Sequence, residues 1–259
     1  MNDSVAIFMF HSIGDGKDIE GADPNYSYSL KNYKALLAAI GPCVSLASRL
    51  AYIDQSSKDR KLVGSNPILT FDDGHISNYV ASELLVEQNS STADFFVNSN
   101  NVGTKNYLDW NQLREMDSWG MSIQSHSSDH IYLSDLSYTN QKKQLEFSKK
   151  TIEDNIGKPV IILAPPGGRY NDDTIRLCHE LGYEHISISK PGKWRGEYCS
   201  PRIPILRNSS KDNLLSCNDS TSLYMAKLIS KYKITGLAKT VLGNNRYDLI
   251  RERLLGVSL

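Results

Sequence analysis

Seven short apolar runs limit how this chain can fold. Val5–Phe10, Cys43–Leu46, Pro67–Phe71, Ala93–Val97, Met121–Gln124, Val160–Ala164 and His185–Ser189 have the length and composition of strands. Between them lie stretches with helix signals. Ser29–Ile40 opens on an N-cap serine, Ile76–Gln88 and Trp110–Trp119 show helical spacing, Thr139–Ile156 stops at Gly157 before Pro159, and Asp172–Leu181 stops at Gly182. Such alternation predicts an α/β fold on a parallel sheet or barrel.

The polar residues fall at one place in that pattern. His11, Asp72 with Asp73, Asn98, His126 and Pro166-Gly167 each follow the last residue of a predicted strand. In parallel α/β folds that edge is the active-site face. Asp54–Ser65 is polar and reads as a surface loop, and Lys190–Glu197, with Pro191, Gly192 and Gly196, as an irregular excursion around Trp194.

Length and charge narrow the classes. A chain of 259 residues, 40% apolar, can bury the core of a single α/β domain. Lys plus Arg equal Asp plus Glu at 29 each, so no field of one sign recommends nucleic acid as a partner. Cys43, Cys178, Cys199 and Cys217 are far apart with no C-x-x-C spacing, which favours free thiols in a reducing compartment. Asp3 stands where a leader would be basic, the run Val5–Phe10 is short for a signal peptide, and no run approaches the ~18 apolar residues of a membrane span. The expected location is cytoplasmic.

Two imidazoles four residues apart, His126 and His130, together with a carboxylate from another strand, make a two-His-one-carboxylate face with positions left open for water and substrate. That is a catalytic rather than a structural arrangement. Taken singly, H-x-x-x-H is usually incidental, and Asp72-Asp73-Gly74 has the make-up of a turn. Their joint placement at strand ends gives them weight.

The segment Thr70-Phe71-Asp72-Asp73-Gly74 and the pair His126-Ser127-x-x-His130 resemble the first two motifs of the metal-dependent polysaccharide deacetylases, the carbohydrate esterase family 4 or NodB-homology group. The likeness runs over about residues 5 to 206, through Trp110-x-Gln112-Leu113, Pro165-Pro166-Gly167-Gly168 and Pro201-Arg202-Ile203. It implies a distorted, partly open (β/α) barrel. It implies Asp72 as general base and Asp73, His126 and His130 as ligands of one divalent ion, zinc first, with cobalt, nickel or iron as alternatives. The implied activity is N-deacetylation of an N-acetylated sugar in a cell-surface polysaccharide or lipid-linked glycan pathway. De-O-acetylation, deformylation, or a binding relative that has lost turnover stand as alternatives.

The sequence departs from the pattern twice. Leu163 and Ala164 fill the stretch where the family usually has an arginine that orients the base, which leaves Arg202 and Arg169 as candidates. No histidine lies beyond His185, so the usual late acid histidine is missing. Phe10-His11-Ser12-Ile13 resembles the relatives that carry it first, which makes His11 the candidate general acid. A backbone N–H at Pro166-Gly167 is a candidate oxyanion donor. Tyr170, Trp194 and Arg202 complete the expected substrate contacts, with packing as the equal alternative for the two aromatic residues. His75 either lines the pocket or opens a surface helix; His179 and His185 read as structural.

Residues 1–207 read as the catalytic domain and 208–259 as a helical extension. That extension carries eight basic against four acidic residues, and Leu223–Leu242 interleaves Lys227, Lys231, Lys233 and Lys239 with apolar residues. Helices packed on the main domain with solvated lysines are the favoured reading. Peripheral contact with an anionic membrane is the other.

Overall fold

A computed structural model describes residues 4–14, 19–52, 66–219 and 221–242. The expected loop Asp54–Ser65 lies outside them, as does the end of the extension. In chain order the elements are β1 (Val5–Phe10), β2 (Ser12–Ile13), β3 (Ser27–Tyr28), α1 (Leu30–Leu37), α2 (Leu46–Tyr52), β4 (Ile68–Phe71), α3 (Ser77–Asn89), β5 (Asp94–Val97) and α4 (Trp110–Ser118). There follow β6 (Ser122–Ser125), α5 (Tyr138–Ile156), β7 (Ile162–Leu163), α6 (Asp172–Glu180), β8 (His185–Ile188), β9 (Lys193–Trp194), β10 (Cys199–Pro201), β11 (Ile203–Pro204), α7 (Lys211–Ser216) and α8 (Leu223–Leu242). The helix ends obey local chemistry. Ser29 caps α1 by accepting from the Asn32 N–H, Asp109 and Gln112 form a capping box at α4, and α5 ends at Gly157 with φ 77°.

Eight strands run in the order β10-β8-β7-β6-β5-β4-β1-β11, all neighbours parallel, and β9 pairs antiparallel with β1. The two outermost strands, β10 and β11, are consecutive stretches of one chain segment separated only by Arg202. That segment pairs with β8 on one side of Arg202 and with β1 on the other, so the sheet curls into a nearly closed barrel.

The two faces of the strands separate two cores. Ala6, Phe8, Phe10, Leu69, Phe71, Phe95 and Val97 point outward and pack with helix residues such as Tyr33, Leu36, Leu113, Leu145 and Leu177. Val5, Ile7, Ile68, Phe96, Ile162, Ala164 and Trp194 point into the barrel. Every second residue of a strand faces in, so a strand that starts apolar inside ends with a side chain aimed into the mouth.

Cys43–Leu46 is not the strand its composition suggested. Pro42 lacks a ladder donor, and the backbone here pairs with side chains: Ser91 Oγ accepts from Cys43 N at 2.8 Å and Thr92 Oγ1 from Ser45 N at 2.9 Å. The buried Asp94 carboxylate then accepts from Leu46 N at 2.5 Å and Ala47 N at 3.1 Å, which starts α2 at Leu46. The excursion Lys190–Glu197 is also more ordered than expected, because Lys193–Trp194 pairs with Val5 and Ala6. Leu214 and Cys217 at the end of α7, and Met225 and Leu228 in the first half of α8, join the outer core.

Candidate active site

The inward phase of the strands delivers four side chains to one rim. His11 continues the phase of Val5 and Ile7, Asp72 that of Ile68, Asn98 that of Phe96, and His126 that of Gln124. The backbone ladder carries on for one more step at two of them: Asp72 N donates to Phe10 O and His126 N to Val97 O, both at 2.9 Å. Asn98 Nδ2 donates to His126 O at 2.6 Å, and Asn78 Nδ2 to His11 O at 2.6 Å. These bonds fix the loops that follow.

The chain then bends in ways L-residues resist. Asp73, Ser127 and His130 have φ of 74°, 63° and 58°. Left-handed backbone costs an ordinary residue about 1–2 kcal/mol, and such strain persists where side-chain placement repays it. Here it converges three candidate ligand atoms. Asp73 Oδ1 lies 3.3 Å from His126 Nε2 and 3.2 Å from His130 Nε2, and the candidate donor atoms of the three residues all fall within 4.8 Å of one another.

The chemistry of these atoms suits a cation between them. His126 Nδ1 sits 2.6 Å from the Ala164 carbonyl, which can only accept, so Nδ1 carries the hydrogen. In the neutral ring Nε2 is then a bare lone pair facing a carboxylate oxygen. Asp73 Oδ1, buried, has no hydrogen-bond partner. Ligand bonds of about 2.0–2.2 Å in tetrahedral geometry leave neighbouring donors about 3.4 Å apart, close to the two separations seen. The three residues fit a divalent ion.

Asp72, next in the chain, is turned the other way. Arg202 grips it with both terminal nitrogens, Nη1 to Oδ1 at 2.6 Å and Nη2 to Oδ2 at 2.8 Å, while Nη1 also reaches Thr70 Oγ1 at 3.2 Å. Burial raises the Asp72 carboxyl, but the Arg202 guanidinium, helped by His126 and His11, outweighs it and holds the group below the ordinary carboxylate range. His11 stands beside the same group against Tyr26, ring centroids 4.4 Å apart, and its buried Nδ1 has no hydrogen-bond partner. Burial lowers the His11 pKa, and the carboxylates of Asp73 and Asp72 restore only part of it.

Other expected residues fall elsewhere. Arg202 is wholly enclosed, so it is the residue that orients Asp72 and not the expected substrate contact. Arg169 is engaged elsewhere, with its guanidinium over the Tyr132 ring at 4.0 Å and paired with Asp135 at 3.3 Å. Trp194 is no rim platform. Its ring is 1% exposed in the inner core, where a large aromatic fills the barrel, and its indole N–H donates to Glu197 O at 2.8 Å. Tyr170 is partly buried and packs on the outer core. Pro166 and Gly167 form a tight turn with Gly167 at φ 58°, where a Cβ would meet Tyr132 Cε1 at 2.4 Å.

His75 is neither in the pocket nor on the surface. It is buried and bonded through Nδ1 to Ser77 Oγ at 2.9 Å and through Nε2 to Glu20 O at 3.0 Å. His179 stacks on Tyr198, and His185 lies in the interior beside Trp194, where burial pushes its pKa down to about 3. Sequence reasoning missed Tyr107. Its half-buried phenol is raised by burial and by the charge of the Asp73 carboxylate, and its backbone bridges to His75. Nothing marked it among the 14 tyrosines.

The polysaccharide deacetylase profile matches residues 60–186, a span that holds Asp72, Asp73, His126 and His130. Across this span, just under half of the chain, the protein is similar to the polysaccharide deacetylase family. Over 209 residues it is 26% identical to YxkH of Bacillus subtilis, provisionally named a polysaccharide deacetylase, covering 78% of this chain and 71% of that protein. It is 26% identical over 179 residues to the peptidoglycan-N-acetylglucosamine deacetylase of Bacillus cereus, covering 65% of this chain and 82% of that one. The Streptococcus pyogenes deacetylase PplD, solved in complex with acetate, matches with a TM-score of 0.73 at 26% identity, over 83% of this chain and 98% of that chain. Members of that family are hydrolases that act on an acetyl-amide bond. His11 and Arg202 lie outside the matched span and reach its site through the barrel.

Proposed function

We propose that the protein is a metal-dependent N-deacetylase of an N-acetylated sugar, working in a cell-surface polysaccharide or lipid-linked glycan pathway. The observation that carries this reading is Asp73 Oδ1, buried without a hydrogen-bond partner between two imidazole nitrogens, next to an ionised Asp72. Two neutral nitrogens and one carboxylate oxygen suit zinc, and cobalt, nickel or iron as well. A divalent ion held by Asp73, His126 and His130 would polarise an acyl carbonyl and acidify the attacking water.

The chain supplies the proton transfers. Asp72, kept ionised and aimed by Arg202, takes a proton from the water as its oxygen bonds to the acyl carbon. His11 gives a proton to the sugar nitrogen as the C–N bond breaks, and a ring whose pKa burial has lowered releases it readily. The products are acetate and the amine, in keeping with the acetate bound to PplD. Arg202 also answers one of the two motives for a silent binding relative, the missing motif arginine, since it grips Asp72 from the segment between β10 and β11.

Metal-loaded protein is expected to release acetate from N-acetylated chito-oligosaccharides or peptidoglycan fragments, and chelated protein is not. Equal release by both would end the metal reading. Elemental analysis should show the ion lost from His126→Ala and from His130→Ala; full retention by either variant removes that residue from the site. For His11→Ala the amide rate should collapse while an activated acetate ester, whose leaving group needs no proton, is still cleaved. In wild type the amide rate should fall as pH rises past a value below the ordinary histidine pKa of about 6.5. Equal losses on both substrates with metal content unchanged would show that His11 is not the acid.

A further inference from the structure

A helix that packs on a domain needs one apolar face, and α8 has two. Met225 and Leu228 are buried in the outer core and Ile229 packs beside them. On the opposite side Leu223, Ile234 and Leu237 are 86%, 69% and 68% exposed. Together with Ala226 and Ser230, also exposed, they recur at intervals of three and four residues and form one stripe along the helix. Lys227 and Lys231 border the stripe on one side and Lys233 on the other, all exposed. Leu223–Leu242 holds four lysines and no Asp or Glu, in a chain whose total charge is zero.

We propose that this outer face of α8 is a docking surface for an anionic lipid bilayer, with the helix lying in the headgroup plane. Leu223, Ile234 and Leu237 would enter the acyl boundary while the flanking lysines keep their ammonium groups among acidic headgroups. Among the described residues no helix is long and apolar enough to cross a membrane, so the helix rests on the surface. Charge selects this occupant over a second copy of the chain. Two α8 helices face to face would set lysine against lysine with no acid on either helix to pair them. The proposal does not depend on the deacetylase reading.

The test uses the whole protein with vesicles of phosphatidylcholine alone or mixed with phosphatidylglycerol. Co-sedimentation is expected with the mixed vesicles only, and raised salt should release the protein. Ile234→Ser/Leu237→Ser and Lys227→Gln/Lys231→Gln/Lys233→Gln should each lower partition by about tenfold or more with the melting temperature unchanged, since every altered side chain is exposed. The proposal fails if wild type ignores phosphatidylglycerol vesicles or if the Ile234→Ser/Leu237→Ser variant binds them undiminished. It also fails if the stripe drives self-association in sedimentation velocity, abolished by that variant, without vesicle binding.

Discussion

Asp72→Asn is expected to lower acetamide hydrolysis by ~10²–10⁴, the usual worth of a general base, while leaving the ion bound. Metal retention is expected because the candidate ligands are Asp73, His126 and His130, while both Asp72 oxygens are engaged by Arg202. The variant carries a second cost. An asparagine keeps one acceptor for Arg202 Nη1 but sets its NH2 donors against the other nitrogen, and the buried guanidinium loses its counter-charge. Breaking a buried pair at one partner costs about 3–5 kcal/mol, so the melting temperature should fall along with the rate. Turnover is therefore to be compared per folded, metal-loaded molecule. Near wild-type turnover on that basis would show that another group takes the proton.

Arg202→Met should be the most destabilising single change near the site. It strands a carboxylate inside the barrel, at a cost of about 3–5 kcal/mol, and it frees the base from its clamp. The effect depends on pH in a direction that can be worked out. In wild type the folded Asp72 carboxyl lies below its unfolded value of about 3.9. Its contribution is thus present above that value and lost as pH falls through the folded one. In the variant burial acts without its main counterweight and raises the folded pKa. The contribution then survives only at low pH and is lost as pH rises through the raised value. The stability gap between wild type and variant should widen from acid to neutral pH in urea unfolding. A gap of the same size at both ends would mean that Arg202 does not set the charge of Asp72. Arg202→Lys restores charge without the two-pronged geometry, so it should recover stability better than turnover.

Arg202 also shows where reading from sequence stops. Local periodicity is enough for β1, β4, β5 and β6, because strands buried on both faces in a parallel barrel must be short apolar runs, and His11, Asp72, Asn98 and His126 follow where those runs end. His126 and His130 are legible for the same reason: four residues apart in one loop, they can share an ion in almost any fold that holds the loop at a strand end. Cys43–Leu46 has the composition of a strand and is not one, since the groups that claim its backbone, Ser91, Thr92 and Asp94, lie 47 or 48 residues away.

What the sequence determined by itself is the alternation of strand and helix, the candidate ligands Asp73, His126 and His130, and the candidacy of Asp72, all written within short windows. Tertiary structure decided the rest. Arg202 is 130 residues from Asp72 and meets it only because the segment Cys199–Pro204 closes the barrel, pairing with β8 before Arg202 and with β1 after it. That closure also makes Trp194 an interior plug and leaves Arg169 to Tyr132 and Asp135. An aromatic or an arginine carries the same local signal at a barrel's rim as in its interior. Only the closed ring of strands, which sets what lies inside and what faces water, separates the two.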